Sequence, residues 1–251
     1  MNKTPAHLIE IFDSIQGEGP YLGLRQLFIR FSGCNLSCAY CDTNYAELVK
    51  QCRVEQTPGK ADFKKIDNPL SAEDLQNIII SKLGKRRIHH SISITGGEPL
   101  LQVEFLKEFL PEIKKVNLPI YLETNGTLPD HLSEIIDLVD IIAFDIKIPS
   151  ATGLSDYSVE SRKALSVASQ KEVFVKAVYT KEVKPTEIDA AAKLVAEINP
   201  EILLVLQPAT PGGTIKHLPP ADLSLAMYSI AKRSLANVRI IPQVHKFMKI
   251  L

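Results

Sequence analysis

Gly33-Cys34-Asn35-Leu36-Ser37-Cys38-Ala39-Tyr40-Cys41-Asp42-Thr43 holds three of the chain's four cysteines, spaced Cys-x3-Cys-x2-Cys. Three thiolates on one short loop suit three irons of a [4Fe–4S] cube, for which thiolate is the usual protein ligand. A cube held by three cysteines keeps one iron open, and an open metal position is what a catalytic centre retains. A closed zinc site takes four ligands, commonly as two close pairs. The fourth cysteine, Cys52, stands eleven residues past Cys41 without a partner pair, and His7, His89 and His90 are at no zinc-like spacing.

The rest of the composition fits an enzyme-sized globular chain. The 251 residues are enough for one sizeable core, and 45% are apolar, which excludes wholesale disorder. Lys plus Arg equals Asp plus Glu at 29 each, so no charge excess points to nucleic acid or to an anionic membrane. Met1–Phe12 lacks a signal-peptide layout, and Ile135–Phe144 is interrupted by Asp137 and Asp140 before it could span a bilayer. The chain therefore reads as soluble and cytoplasmic, where thiols stay reduced and serve metals better than disulfides.

Outward from the cysteine loop, short apolar runs alternate with amphipathic segments. Leu27–Phe31 precedes the loop as a strand. Residues 44–68 carry a turn signal at Pro58-Gly59 and otherwise give no assignable pattern. Ser71 caps a helix with Leu75, Ile78, Ile79 and Leu83 on one face, ending at Gly84. Ile92–Thr95 is a strand, followed by helical spacing from Leu101 through Phe105, Leu106, Phe109 and Ile113, which Pro111 is expected to kink or split. Strands then follow at Pro119–Glu123, Ile141–Ile146, Val173–Tyr179, Ile202–Leu206 and Val238–Ile241. Helices stand between them at Pro129–Leu138, in the segment up to Ser169, from Pro185, and at Pro220–Leu235. Pro149–Asp156 reads as a loop. This alternation predicts an α/β fold with a parallel sheet and outer helices, a partial (β/α) barrel of about six parallel strands. Polar and glycine-rich residues gather just after the strand ends, where such a barrel keeps its site. No boundary divides the chain, so 1–251 is expected to be a single domain.

Two features near the start bear on chemistry. Arg30 is a charge inside an apolar strand and needs an anionic partner. That partner is either Glu18, as a structural pair, or a bound carboxylate held by the guanidinium fork. Gln16-Gly17-Glu18-Gly19 is either a plain turn, since its glycines permit positive φ, or part of a site.

Thr95-Gly96-Gly97-Glu98-Pro99 closes the strand that follows the cysteine loop. Together with the triad it resembles the signature of the radical S-adenosylmethionine (SAM) enzymes. In that family SAM chelates the open iron, and an electron from the cube splits it to an adenosyl radical. Gln16-Gly17-Glu18-Gly19, Arg30, Cys41-Asp42-Thr43, Glu123-Thr124-Asn125-Gly126 and Gln243-Val244-His245-Lys246 narrow the resemblance to the 7-carboxy-7-deazaguanine synthases, over nearly the whole chain. These enzymes convert 6-carboxy-5,6,7,8-tetrahydropterin to 7-carboxy-7-deazaguanine with loss of ammonia, on the way to 7-deazapurines such as queuosine.

The resemblance implies a lyase with three cofactors: a [4Fe–4S] cluster on Cys34, Cys38 and Cys41, SAM, and Mg²⁺ on Thr43. It implies substrate contacts from Ile15, Gln16, Gly17, Glu18, Arg30, Thr95, Gln207 and His245, with Arg30 on the carboxylate. It implies SAM contacts from Tyr40, Asp42, Gly97, Glu98, Glu123, Asn125, Asp145 and Lys147. Many members carry Ser-Pro-Lys where this chain has Asp145-Ile146-Lys147. No side chain is assigned to the bond-breaking itself, because the SAM-derived radical carries it. An electron donor such as a flavodoxin or ferredoxin and a homodimer are implied in the same way. Two rival readings are a glycyl-radical-enzyme activase, which shares the triad and Gly-Gly-Glu-Pro but acts on a protein, and an electron carrier, which uses four cysteine ligands.

Overall fold

Ten strands form one sheet in the computed structural model, which describes residues 4–41, 48–84, 88–212 and 214–250. The elements in chain order are β1 (Leu8–Ile15), β2 (Arg25–Phe31), β3 (Gln51–Glu55), β4 (Phe63–Asp67), α1 (Ala72–Leu83), β5 (Ser91–Gly96), α2 (Val103–Lys114), β6 (Ile120–Thr124) and α3 (Pro129–Ile135). There follow β7 (Ile141–Ile146), α4 (Pro149–Thr152), α5 (Ser158–Ala168), β8 (Glu172–Tyr179), α6 (Pro185–Ile198), β9 (Leu203–Pro208), α7 (Ala221–Ala231), β10 (Val238–Ile240) and α8 (Val244–Met248). The strand order is β10-β9-β8-β7-β6-β5-β2-β1-β3-β4. The run from β2 through β5 to β10 is parallel throughout, which makes seven strands of a partial (β/α) barrel. β1 lies antiparallel on β2, and β3 runs parallel to β1.

The strands are apolar on both faces, because helices cover one side and the barrel interior the other. The larger core lies between strands and helices; Ile29, Ile92, Ile94, Leu122 and Ile142 meet Phe105, Phe109, Leu132 and Leu165 there. A smaller inner core of Tyr121, Ile141, Ala143, Phe174, Leu203 and Val205 fills the base of the barrel. Side chains alternate across a strand. Two residues above these inner apolar groups, the same inward rows therefore carry Glu123, Asp145, Lys176 and Gln207. The polar end of the barrel is a continuation of its apolar filling, one pleat further along each strand.

Several elements depart from the sequence reading. Residues 44–68 contain a hairpin, β3–β4, turning through Pro58-Gly59 with Gly59 at φ 72°. β4 is largely exposed and carries Lys64 and Lys65, the usual protection of an edge strand, and this polarity hides it from a search for apolar alternation. β1 also went unread, since Glu10 and Asp13 break its apolar run. Pro111 does not split α2; the helix runs on to Lys114 because Phe105, Leu106, Phe109, Leu110 and Ile113 seat its whole length on the sheet. Leu101 lies outside that face and is exposed. α7 stops at Ala231 rather than Leu235, the Pro149–Asp156 segment opens with the short α4, and α8 gave no signal. Ser71 caps α1 as expected, its hydroxyl accepting from Asp74 N at 3.1 Å. No helix among the described residues is long and apolar enough to cross a membrane.

Candidate active site

The cysteine loop leaves β2 at the C-terminal edge of the barrel and folds back over it. Ala39 N donates to Thr152 O at 2.8 Å, and Cys41 N to Cys38 O at 3.0 Å. Asn125, at the end of β6, donates to Asn35 Oδ1 at 2.9 Å and reaches Cys34 Sγ at 4.0 Å. Cys34, Cys38 and Cys41 thereby line one cavity of about 130 Å³, shared with Tyr40, Gly96, Gly97, Glu123, Asn125, Asp145, Lys147 and Lys176. Burial pushes the Cys34 and Cys38 thiols up, with Lys147 pulling the other way. Cys52 is elsewhere, fully buried in the outer core.

The donor set fits an iron–sulfur cube better than a single ion. Among the described residues no three His, Cys, Asp or Glu side chains close around one metal position. Instead, three sulfurs border a common space, which suits a cube that takes one thiolate per iron. Gly96 lets β5 close against β2 at the cavity's edge: its φ is +136°, and a Cβ there would lie 2.2 Å from Phe31 O. No side chain can replace that hydrogen, so the strand end that lines the cavity there is held at glycine by its neighbour's backbone. The Asp145 carboxylate accepts from Lys147 Nζ at 2.9 Å through one oxygen, while its buried Oδ1 has no partner. An unmatched acceptor at the wall of a cavity fits a ligand that brings donors, as SAM does with its ammonium and ribose hydroxyls. Lys147 also donates to Tyr40 OH at 3.2 Å, and is raised despite its burial by Asp145.

A second cavity of about 410 Å³ adjoins the first and shares Thr95 and Glu123 with it. Ile15, Gln16, Gly17, Glu18, Arg30 and His245 line it, with Glu10, Phe12, Phe28, Arg53, Gln243 and Lys246. The shared wall is a hydrogen-bonded unit. Thr95 Oγ1 donates to Glu123 Oε2 at 3.1 Å, and Gln16 Nε2 to Glu123 Oε1 and to Gln26 Oε1, both at 3.2 Å. Burial alone would raise the Glu18 carboxyl, but the Lys176 ammonium and the Gln243 amide hold it down at about 2.

Gln16-Gly17-Glu18-Gly19 is more than a turn. Val244 N donates to Gly17 O at 2.9 Å, and a Cβ on Gly17 would lie 2.3 Å from His245 Nδ1. Gly17 is small so that α8 can sit on it, whereas Gly19 supplies a positive φ of 63°. Among the described residues Arg30 pairs with Glu10, Nε to Oε1 at 2.8 Å, and not with Glu18. Glu18 pairs with Lys176 instead, because β8 presents that lysine on its inward row.

Of the residues the resemblance assigns to SAM, Tyr40, Gly97, Glu123, Asn125, Asp145 and Lys147 line the first cavity. Glu98 does not: fully buried, it accepts from Asn125 N at 2.7 Å, Leu100 N at 3.1 Å and Thr124 Oγ1 at 3.1 Å, and so ties the β5 and β6 ends together. Burial pushes it up to about 7 against those bonds. Of the substrate set, Gln207 lines neither cavity; it is buried with its Oε1 unpartnered. Asp42 and Thr43 lie outside the described residues. Sequence reading overlooked Lys176, Glu10 and Arg53, and quoted Gln243 within a motif without giving it a role. The signal for Lys176 was available: like Arg30, it is a lone charge in an apolar strand, Val173–Tyr179.

The radical SAM superfamily profile matches residues 28–179. The chain is 45% identical to the 7-carboxy-7-deazaguanine synthase of Geobacter sulfurreducens over 99% of both chains. It is 37% identical to that of Archaeoglobus fulgidus over 97% of this chain and 98% of the relative. Among solved structures, QueE from Escherichia coli superposes with a TM-score of 0.56 at 20% identity, covering 93% of this chain and 92% of that one, a likeness of fold. With the cysteine loop inside the matched region and relatives of one name aligned from end to end, the chain belongs to the 7-carboxy-7-deazaguanine synthase family of the radical SAM superfamily.

Proposed function

We propose that the chain is a radical SAM carbon–nitrogen lyase, forming 7-carboxy-7-deazaguanine from 6-carboxy-5,6,7,8-tetrahydropterin with release of ammonia in 7-deazapurine (queuosine) biosynthesis. The observation that carries this reading is the pair of adjoining cavities with the common wall of Thr95 and Glu123. A thiol-lined chamber opens beside a charged one, as a reaction between two bound small molecules requires. The charged chamber, at about 410 Å³, is of the size that small-molecule ligands occupy, which favours a pterin over a protein substrate.

When bound, the cluster and SAM supply one-electron chemistry that removes a hydrogen atom from a substrate carbon. Cys34, Cys38 and Cys41 hold the cluster, and Tyr40, Gly97, Asn125, Asp145 and Lys147 border the SAM position. The chain's own contribution to the reaction is placement. Arg30, fixed by Glu10, turns its guanidinium toward the chamber that receives the substrate carboxylate. Gln16, Thr95 and Glu123 offer donors and acceptors to the pterin ring, already oriented by their mutual hydrogen bonds. Glu18 stays ionised beside Lys176, and His245 closes the chamber from α8. Mg²⁺ on Thr43 rests on the sequence motif alone. A homodimer and a flavodoxin or ferredoxin donor belong to the same proposal.

Anaerobic reconstitution of the cluster, then incubation with SAM, a reductant, Mg²⁺ and the carboxypterin, tests the reading by mass analysis for the deazapurine acid. SAM cleavage with no deazapurine points to a different radical SAM reaction. No SAM cleavage at all points to an electron carrier.

A further inference from the structure

Glu10 occupies the middle of a three-strand row. In the register of the sheet it stands opposite Arg30 on β2 and beside Arg53 on β3. Its two oxygens are divided between them: Arg30 Nε to Oε1 at 2.8 Å, and Arg53 Nη2 to Oε2 at 2.5 Å. The Glu10 side chain is only 7% exposed, so this carboxylate is compensated by the two arginines rather than by water. Each guanidinium also lies over a ring, Arg30 over Phe12 at 5.3 Å and Arg53 over Phe63 at 4.9 Å. All three residues line the 410 Å³ chamber, so the row forms part of its charged wall.

We propose that Arg53 is a positioning residue for recognition of the substrate carboxylate: it fixes Glu10, and Glu10 fixes the plane of the Arg30 guanidinium that meets the carboxylate. This rests on the reading of the charged chamber as the carboxypterin site. The geometry supplies the reason. A carboxylate held at one oxygen can turn about its side-chain torsions, whereas one held at both oxygens from opposite sides cannot. Arg53 is 48% exposed and sits at the rim, so its packing contribution is small and its loss leaves the core intact. The β3–β4 hairpin, which supplies Arg53 and Phe63, thus extends the sheet into the substrate chamber and gives it a second arginine.

The test is calorimetric binding of 6-carboxypterin and of pterin, which lacks the carboxylate, to the cluster-reconstituted protein with SAM present. The variants are Arg53→Ala, Arg53→Gln, Arg30→Ala and the Arg30→Ala/Arg53→Ala pair, with melting temperatures measured alongside. Wild type is expected to prefer 6-carboxypterin. Arg53→Ala and Arg53→Gln should each weaken 6-carboxypterin by about tenfold and pterin by less than about twofold, the scale of one charge-assisted hydrogen bond. In the Arg30→Ala background, Arg53→Ala should cause no further loss, because it acts through Arg30. An undiminished tenfold loss in that background would mean direct contact with the ligand and overturn the proposal. So would equal losses for both pterins, or no loss at all. If Arg53→Ala does not fold, Arg53→Gln keeps the stem and reads the same ratio. A wild-type protein that does not discriminate the two pterins overturns the substrate assignment itself, an outcome separate from any failure confined to the variants.

Discussion

Glu18 and Lys176, 158 residues apart, form an ion pair of 2.5 Å in which Glu18 lines the charged chamber and Lys176 the thiol-lined one. The side chains are 15% and 8% exposed, so neither charge has water to fall back on. Glu18→Gln is expected to leave Lys176 uncompensated and to cost about 3–5 kcal/mol in chemical denaturation of the apoprotein. The pair also predicts an acid limb. Glu18 is lowered from 4.5 to about 2, so its stabilisation is present above pH 4.5 and is lost as pH falls toward 2. Wild type should lose stability over that window, and Glu18→Gln should lack this part of the loss. Parallel acid curves for the two proteins would contradict it.

Glu98 predicts the opposite slope. Burial raises it from 4.5 to about 7, so the fold favours its protonated form. Its contribution is fully present below pH 4.5 and declines as pH rises to 7, by about 3 kcal/mol on the linkage scale. Glu98→Gln removes the ionisable group, at the cost of one backbone N–H acceptor, and should flatten that decline. The check is urea denaturation of both proteins at pH 5, 6, 7 and 8. An unchanged slope in the variant would assign the pH dependence to other groups.

The four cysteines should separate into two chemical classes. Replacing Cys34, Cys38 or Cys41 by Ala is expected to abolish the cluster's absorption spectrum. Cys52→Ala should keep the spectrum and lose only about 1 kcal/mol, as for trimming a small core group. Burial pushes the Cys52 thiol up to about 12, so alkylation of the folded apoprotein at pH 8 should spare it and label the three loop thiols. Mass mapping of the labelled peptides decides this.

Arg30→Lys keeps the charge and gives up the planar fork. It should weaken carboxypterin binding by about 1.5–3 kcal/mol, roughly ten- to a hundredfold. Thr43→Ala should remove most of the Mg²⁺ stimulation of turnover while leaving cluster and SAM binding intact. Variants that lose melting temperature but keep substrate affinity and Mg²⁺ response would speak for purely structural roles.

How much of this was legible beforehand follows from the chemistry of each part. The parallel strands announced themselves as apolar runs because both of their faces are covered. The cysteine loop and the Gly-Gly-Glu-Pro strand end are local, so spacing alone located them. What escaped was non-local or polar. Glu18 was an available partner for Arg30 by proximity in sequence, yet the sheet register sets Glu10 against Arg30, and β8 brings Lys176 to Glu18. β3 and β4 stayed hidden because an edge hairpin is built from charges, and one of those charges, Arg53, faces a site. The motif that contains Glu98 is local and readable, but that its carboxylate braces the β5 and β6 ends depends on Thr124 and Asn125, which only the fold brings to it.

Thr95 and Glu123, hydrogen-bonded to each other, border both chambers, so they are the group through which the occupants of the two would be coupled. Whatever factor SAM contributes to pterin affinity, the pterin must return to SAM. Titrating either ligand with and without the other measures that factor, and a Glu123 variant is expected to change it as well as each separate affinity.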